Sequence, residues 1–494
     1  MRGTLAAACL LVILSGSAAG AAGTAAPPLP ARVETHHTIT IAGHRLDYDA
    51  FAETFALKDS KGATTAEIFT VSYVLAGAPG SRPVTFAFNG GPGAAAVFLH
   101  LGALGPRILD TPASGAVPPP PFRLVDNPST WLPFTDLVFV DPVGTGFSRG
   151  EGKEKNPDEP FWNVHADLSS LSTLVRLWLT RHRRWDAPVY LVGESYGGFR
   201  AAALARALPE EAGVTVSGLI LISPALDLSI LGRSERDLLA AAFPLPTYAA
   251  TAAADGALPA PVDLARVEHF ALSDYLVGLA GLKGDPGPDD PFIAKVARMT
   301  GLPATVVARH RGRIPRRVFA RDIRRSEHEV VSLYDGTVAR PAAANARNDR
   351  AGDPILGPAA AAYTTAFNQY VSKVLNYHTD LAYRTLAREV ARQWNWQGAK
   401  GQGGLGLAMA SLQQTLLAHP MTRLMIVNGR YDLVTPYLAS RWLVDQLQIP
   451  AATRARIRLR VYPGGHMMYM RPDARAALAR DAAALYGAAA AVGQ

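Results

Sequence analysis

The hexapeptide Gly193-Glu194-Ser195-Tyr196-Gly197-Gly198 follows the apolar run Val189-Tyr190-Leu191-Val192 and precedes an Ala/Leu/Arg segment compatible with a helix. A strand, a sharp turn carrying serine and then a helix make a nucleophile elbow. In so tight a turn, side chains at Gly193 and Gly197 would collide with the neighbouring strand and helix, which is why both positions need glycine. Ser195 then stands above a sheet, ready to attack. A serine hydroxyl is a poor nucleophile at neutral pH, so it requires a histidine to take its proton and a carboxylate to orient that histidine. Asp432 follows the apolar strand Leu424-Met425-Ile426-Val427, and His466 follows a strand from Ile457 to Val461 and the loop Tyr462-Pro463-Gly464-Gly465. Of the 12 histidines, His466 alone follows a predicted strand and a Gly-Gly loop able to turn an imidazole back toward Ser195. His36-His37 precede a predicted strand without a cysteine or carboxylate at ligand spacing, so no metal site is assigned there.

The chain order Ser, Asp, His is that of α/β-hydrolases and of neither chymotrypsin nor subtilisin. A second loop, Asn89-Gly90-Gly91-Pro92-Gly93, ends the apolar strand Phe86-Ala87-Phe88 and can aim its amides at a bound anion. With it come Leu104-Gly105-Pro106-Arg107, Asp141-Pro142-Val143-Gly144-Thr145-Gly146-Phe147-Ser148, the elbow, the aspartate block Gly429 to Pro436 and the Gly-Gly-His loop. This set resembles the serine carboxypeptidase family, in the family's order, over about residues 85–470.

The resemblance implies Ser195 as nucleophile, His466 as general base and acid, and Asp432 as orienting carboxylate. It implies an oxyanion hole made by the backbone amides of Gly91 and Tyr196, where fixed donors stabilise the tetrahedral intermediate. It further implies that Asn89, the Gly90 amide and Glu194 bind the free α-carboxylate of a peptide's last residue. Two carboxylates repel unless one carries a proton, so such binding favours acidic pH. Two departures qualify this. Ala94-Ala95-Ala96 stands where the family usually has Cys-Ser-Ser, which removes a thiol or disulfide but leaves the triad. Ala103, three residues before Pro106, stands where the peptidases carry a second glutamate that helps recognise the carboxylate. An esterase or acyltransferase with the same triad is therefore the alternative reading, since acyl-enzymes partition according to the nucleophile that enters. A catalytically silent binding protein is a third, opposed by the complete set of triad motifs.

Composition sets the compartment and excludes other classes. Arg2, an apolar segment from Leu5 to Leu14 and the small residues Ala19-Gly20-Ala21 read as a secretory signal over residues 1–21. That segment is too short to span a membrane, and the expected location is periplasmic or secreted. The sole cysteine, Cys9, falls inside this segment, so the mature chain has no disulfide and must rest on a large core. With its Ala- and Arg-rich composition it looks like a bacterial version of a family whose eukaryotic members are usually disulfide-bonded. The formal charge of +8 is modest for 494 residues. Eight arginines between Arg309 and Arg325 are interrupted by Pro315, Asp322 and apolar residues, which predicts a solvated helical face and no nucleic-acid groove. Gly144-Thr145-Gly146 lacks the third glycine of a dinucleotide fingerprint and reads as a tight loop lining the cleft. The stretch Asp285 to Asp290 lacks the spacing of a calcium loop and reads as a solvated turn. Expected partners are peptides with a free C-terminal carboxylate; no metal or organic cofactor is needed, and the sequence is silent on oligomeric state.

These residues need a scaffold that brings distant segments to one edge. Residues 22–34 read as a flexible leader, and Thr38 to Leu75 alternates polar and apolar residues as antiparallel strands do. Parallel-type strands are predicted near 84–88, 137–140, 189–192, 219–222, 424–427 and 457–461. From Asn163 to His182 a helix places Val164, Leu168, Leu171, Val175, Trp178 and Leu179 on one face. The fold class is α/β, an α/β-hydrolase with a mostly parallel central sheet covered on both faces. Because 237 positions separate Ser195 from Asp432, a large, mainly helical cap is expected over 227–419, between core parts at 35–226 and 420–494. The cap would shape the pocket and exclude water, with a cleft-edge loop from Pro341.

Overall fold

The computed structural model describes residues 29–231, 236–342, 352–397 and 404–487. The segment read as a secretory signal, with Cys9, lies outside the described residues, as do positions 343–351 of the loop that begins at Pro341.

Alternating polar and apolar residues give three long antiparallel strands, β1 (Arg32–Ile41), β2 (His44–Lys58) and β3 (Thr64–Leu75), in registers that pair Ile39 with Leu46 and Phe51 with Ser72. Short, continuous apolar runs give β4 (Val84–Phe88), β5 (Asp136–Val140), β6 (Val189–Glu194), β7 (Val216–Ile222) and β8 (Arg423–Gly429). The edge strand β9 (Ile457–Tyr462) instead carries Arg458 and Arg460. They join in one ten-stranded sheet of order β1-β2-β3-β5-β4-β6-β7-β8-β9, with Arg149–Gly150 pairing β3 off this path. The pairs from β5 to β9 are parallel, and β3 meets β5 antiparallel. Runs that are apolar throughout belong in a sheet covered on both faces. Val84, Phe86, Phe88, Val189, Leu191, Leu424 and Ile426 enter one core, while Ala87, Tyr190, Val192, Met425 and Val427 enter the other.

Six helices close these faces: α1 (Val164–Arg181), α2 (Tyr196–Glu211), α3 (Leu356–Lys373), α4 (Leu407–Ala418), α5 (Tyr437–Gln446) and α6 (Pro472–Tyr486). The Asn163 side chain accepts the Ala166 amide at 2.9 Å and starts α1. The periodic face of α1 is buried, and Trp178 meets the edge of Phe86 at 5.5 Å while its indole N–H donates to Ser72. α1, α2 and α4 pack on one face of the sheet, α3 and α6 on the other.

Between β7 and β8 the chain builds a third core from Phe243, Tyr248, Phe270, Tyr275, Ile293 and Phe319, on short helices such as Leu245–Ala254 and Pro291–Thr300. Here the arginine cluster departs from the expected solvated face. Arg313 donates to the Leu279 carbonyl at 3.0 Å, and Arg316 donates to the carbonyls of Leu231 (2.8 Å) and Leu433 (3.1 Å). Arg324 pairs with Asp255 and Glu329. Arg311 holds an exposed ion pair with Asp285, and exposed Arg325 reaches the buried Asp322. The cluster spans two helices and a turn, so its arginines point in different directions. A second correction concerns His36. The β1–β2 register places Asp49 opposite it, with Nδ1 and Oδ1 2.5 Å apart, and Glu34 joins on the same face. The neighbouring strand supplies a carboxylate that spacing along the sequence does not show. No helix among the described residues is long and apolar enough to cross a membrane.

Trp178 is completely buried between the sheet and α1, so Trp178→Ala is expected to lower the unfolding free energy by about 3–5 kcal/mol. Urea denaturation checks this; a loss below about 1 kcal/mol would contradict the packing described.

Candidate active site

Ser195 follows β6 and begins α2 with φ 58° and ψ −124°, a left-handed conformation rare for a residue with a side chain. Glycine makes the turn possible. A Cβ on Gly193 would lie 1.9 Å from the Gly197 carbonyl oxygen, and one on Gly197 would lie 2.3 Å from that of Phe88. The Ser195 amide donates to Ile222 at 3.0 Å, and its carbonyl accepts from Ala225 at 3.0 Å and Gly198 at 2.9 Å. The turn is thereby fixed against the end of β7, and Ser195 keeps partial exposure to solvent.

Asp432 and His466 arrive at the same edge from the ends of β8 and β9. His466 Nδ1 lies 2.8 Å from Asp432 Oδ2, with both side chains buried. Asp432 Oδ1 accepts the amides of Val434 (2.7 Å) and Thr435 (2.9 Å), and the Thr435 hydroxyl lies 2.7 Å from Oδ2. Thr435 also lies 2.9 Å from the Ser223 carbonyl, and the Ser223 hydroxyl donates to the His466 carbonyl at 2.9 Å. Burial pushes the His466 imidazole down, but the charge and hydrogen bond of Asp432, with Glu194 beyond it, outweigh burial and raise its pKa.

The loop after β4 lies directly against the elbow. A Cβ on Gly90 would sit 2.5 Å from the Tyr196 amide nitrogen, so only glycine allows this approach. Among the described residues, no acceptor within the chain takes the amides of Gly91 or Tyr196. The loop is pinned from several directions. Arg200, buried in α2, donates to the Asn89 carbonyl at 2.7 Å and pairs with buried Asp167 at 2.7 Å. Asp141 accepts the Ala96 amide at 2.8 Å, and Asn89 Oδ1 accepts that of Leu99 at 3.0 Å. Ala387 donates to the Gly93 carbonyl at 2.7 Å, and Gly146 donates to that of Arg384, so Gly144-Thr145-Gly146 sits beside this loop.

Asn89 Nδ2 donates to Glu194 Oε2. Burial pushes the Glu194 carboxyl up to about 7, against the opposing pull of His466, Tyr469 and Asn89. The Glu194 charge also helps to raise the His466 imidazole. Sequence reasoning singled out Asn89, Gly90, Gly91, Glu194, Ser195, Tyr196, Asp432 and His466, and the fold gathers all eight at one end of the sheet.

Residues 60–229 match the sequence model of the serine carboxypeptidase family. This stretch of the chain is similar to that family. It contains the loop after β4 and the elbow; Asp432 and His466 lie beyond it. Serine carboxypeptidase-like 9 of Arabidopsis thaliana is 30% identical over 129 residues, 26% of this chain and 28% of its own. The retinoid-inducible serine carboxypeptidase of Rattus norvegicus is 32% identical over 125 residues, 25% of this chain and 24% of its own. The chain thus matches about a quarter of the length of these relatives. A prohormone-processing carboxypeptidase from Saccharomyces cerevisiae shares the fold, with TM-score 0.53 and 15% identity, over 87% of this chain and 90% of that one.

Sequence reasoning missed the supports that the insertion gives to Asp432 and His466. The His466 amide donates to the Tyr334 carbonyl at 2.5 Å, and the Tyr334 ring stands at 88° to the imidazole with centroids 5.3 Å apart. Leu433 donates to Leu333 at 3.0 Å, and Gly336 to Tyr431 at 3.0 Å. Asp353 orders this loop by accepting from the Ser332 hydroxyl (2.6 Å) and the Leu333 amide (2.8 Å). No local pattern around Tyr334 or Asp353 announces this, because Tyr334 meets His466 across 132 positions and Asp353 reaches Ser332 and Leu333 across 21 and 20. Arg200 left a trace: a charged residue among the apolar and small residues of the elbow's helix.

Asp353→Ala is expected to loosen the Tyr334 loop and slow labelling of Ser195 by a fluorophosphonate roughly 10- to 100-fold, since small misplacements of reacting groups carry costs of that size. Asp353→Asn keeps an acceptor for Ser332 and Leu333 and should lose less. Equal labelling rates in the two variants and the parent protein would show that this loop does not position His466.

Proposed function

We propose that the chain is an exported serine carboxypeptidase that releases C-terminal residues from peptides through an acyl-enzyme at Ser195. The observation that carries the reading is the buried Asp432–His466 pair, delivered by β8 and β9 to the edge where the elbow presents Ser195. The serine carboxypeptidase match over residues 60–229, which includes the elbow, supports this reading. Ser195 Oγ attacks the scissile carbonyl while His466 Nε2 takes its proton, and the oxyanion forms against the amides of Gly91 and Tyr196. Collapse of the intermediate expels the C-terminal residue, whose amine receives the proton from His466. Water then attacks the acyl-enzyme with His466 again as base, freeing Ser195 and the shortened peptide. Asp432 fixes the imidazole tautomer through Nδ1 and stabilises the imidazolium.

Asn89, the Gly90 amide and Glu194 bind the substrate's terminal carboxylate. Glu194 bonds to a second carboxylate only while it holds a proton, and burial keeps that proton on up to about pH 7. The secretory signal at residues 1–21 would carry the protein to the periplasm or the exterior. An esterase or acyltransferase is the second reading, favoured by Ala103 where the family has another acid.

Ser195→Ala should abolish turnover while preserving the melting temperature, and Asp432→Asn and His466→Ala should each cost orders of magnitude in kcat/KM, because a triad acts as a unit. Wild-type activity in any of the three would assign its role elsewhere.

For a free-acid peptide, kcat/KM should fall tenfold per pH unit above about pH 7, where Glu194 loses its proton. A simple ester needs only neutral His466 and should hold its rate there. Glu194→Gln keeps a donor without titrating, so it should flatten the alkaline fall for the peptide acid. Equal cleavage of peptide acid and amide, with no effect of Glu194→Gln, would favour the esterase reading.

A further inference from the structure

The strands that deliver Asp432 and His466 begin at the opposite end of the sheet, where the chain forms an open groove of about 1020 Å³. β8 runs seven residues, from Arg423 to Gly429, so at the usual strand rise the groove lies roughly 20 Å from the triad edge. Its walls come from the starts of β6, β7, β8 and β9 and from the end of α6. Arg423, Arg456 and Arg458 stand in those walls, and none of the described residues lining the groove is an aspartate or a glutamate.

The strand register gathers the three guanidiniums. Leu424 lies opposite Ile457 and Met425 opposite Arg458, so Arg423 stands level with Arg456. Alternation along the strands then turns Arg423, Arg456 and Arg458 to the face that α6 covers, the face into which Met425 packs. Arg460, next on that face, finds an acid and pairs with Asp481 of α6 at 3.1 Å. The other three do not. Arg423 gives Nη1 to the Leu485 carbonyl at 2.5 Å and to the Tyr190 hydroxyl at 3.4 Å, and Arg456 rests on the Met421 sulfur at 2.7 Å. Half-buried Arg458 has no polar partner among the described residues. A register irregularity between Val216 and Gly218 leaves Ser217 outside the β6–β7 pairing, and Ser217 and Thr215 both line the groove. Basic residues on an edge strand also deter pairing with another chain. That role needs neither a concave wall nor the exclusion of acids, and Arg423 lies on β8, inside the sheet.

We propose that this groove binds a small molecule or headgroup carrying two phosphate groups, held by Arg456 and Arg458 with Arg423 closing one side. Like charges gathered on one face repel, and with no acid in the wall a bound anion offsets that cost. Guanidinium N–H groups meet phosphate oxygens in pairs. One phosphate on Arg458 leaves Arg423 and Arg456 to take a second, which favours a ligand with two anionic groups over a lone phosphate. The hydroxyls of Thr215 and Ser217 supply neutral donors to the remaining oxygens. Met421, 70% exposed beside Arg456, gives an apolar part of the ligand a surface to rest on. Such a ligand ties α6 to β8 and β9 without touching the reacting atoms, so the site is independent of the reaction proposed for Ser195.

The test titrates the full chain with pyrophosphate and with orthophosphate at constant ionic strength, by calorimetry, in the parent protein, Arg458→Gln and the double variant Arg456→Gln/Arg458→Gln. Neither arginine holds an ion pair, so folding is retained, and the melting temperature without ligand checks this. Pyrophosphate should bind at one site, raise the melting temperature and bind roughly tenfold or more tighter than orthophosphate. Its dissociation constant should rise about tenfold in Arg458→Gln, the cost of a lost hydrogen bond to a charged group, and binding should vanish in the double variant. Labelling of Ser195 by a fluorophosphonate should keep the parent rate in both variants. A second arm sediments the proteins with phosphatidylcholine vesicles with and without cardiolipin, whose headgroup carries two phosphates. Cardiolipin binding that the double variant loses, without pyrophosphate binding, assigns the phosphates to a lipid; pyrophosphate binding alone assigns them to a soluble ligand. Binding of neither, equal binding in parent and variants, or orthophosphate as tight as pyrophosphate would overturn the assignment.

Discussion

The backbone of Ser195 is the constraint on which the site depends. A residue held at φ 58° stores strain of order 1–3 kcal/mol, so its surroundings must over-determine it. Three glycines do so by their lack of a side chain: Gly193 and Gly197 let strand and helix close on the turn, and Gly90 lets the loop after β4 reach the Tyr196 amide. Hydrogen bonds from the Ser195 amide to the Ile222 carbonyl and from the Ala225 amide to the Ser195 carbonyl tie the same turn to the end of β7 and the loop after it. Arg200, one turn into α2, then holds the Asn89 carbonyl while its charge is met by Asp167. The same contacts fix the elbow and the loop after β4 relative to each other.

The insertion between β7 and β8 joins this framework as a support as well as a cover. Arg316 grips the carbonyls after Asp432, and Tyr334 meets both the amide and the ring of His466. The segment from Arg384 to Ala387 binds Gly146 and Gly93 on the other side. Each loop that carries a site residue is therefore bounded by the sheet below and the insertion above. Movement of the insertion relative to the sheet would disturb the Asp432–His466 pair and the loop after β4 together.

Much of this was legible because it is local. Short apolar runs at 84–88, 189–192 and 424–427 read as buried strands, and the 3.6-residue apolar period from Asn163 to His182 marks α1. The elbow, the aspartate block and the Gly-Gly-His loop are short patterns that need no partner to be recognised. What stayed hidden depends on pairing across long separations. Asp49 faces His36 only through the β1–β2 register, and the inward arginines between 309 and 325 depend on carbonyls of Leu231, Leu279 and Leu433. Tyr363 shows in sequence as one more aromatic on an Ala-rich helix, yet its hydroxyl lies against Gly102.

Glu194 and His466 link recognition to base strength. Burial drives Glu194 to keep its proton, and the charge it would otherwise carry is one of the causes that raise His466. A proton on Glu194 therefore removes part of the support for the imidazolium and leaves His466 more readily neutral, which is the form a general base needs. Under the carboxylate reading proposed above, the reverse arrangement, with the proton on His466 and Glu194 ionised, would neither bind a carboxylate nor activate Ser195. A substrate carboxylate bonded to Glu194 would favour the proton there, so binding of the correct end group would select, from two arrangements of one proton, the one in which the proposed triad can act.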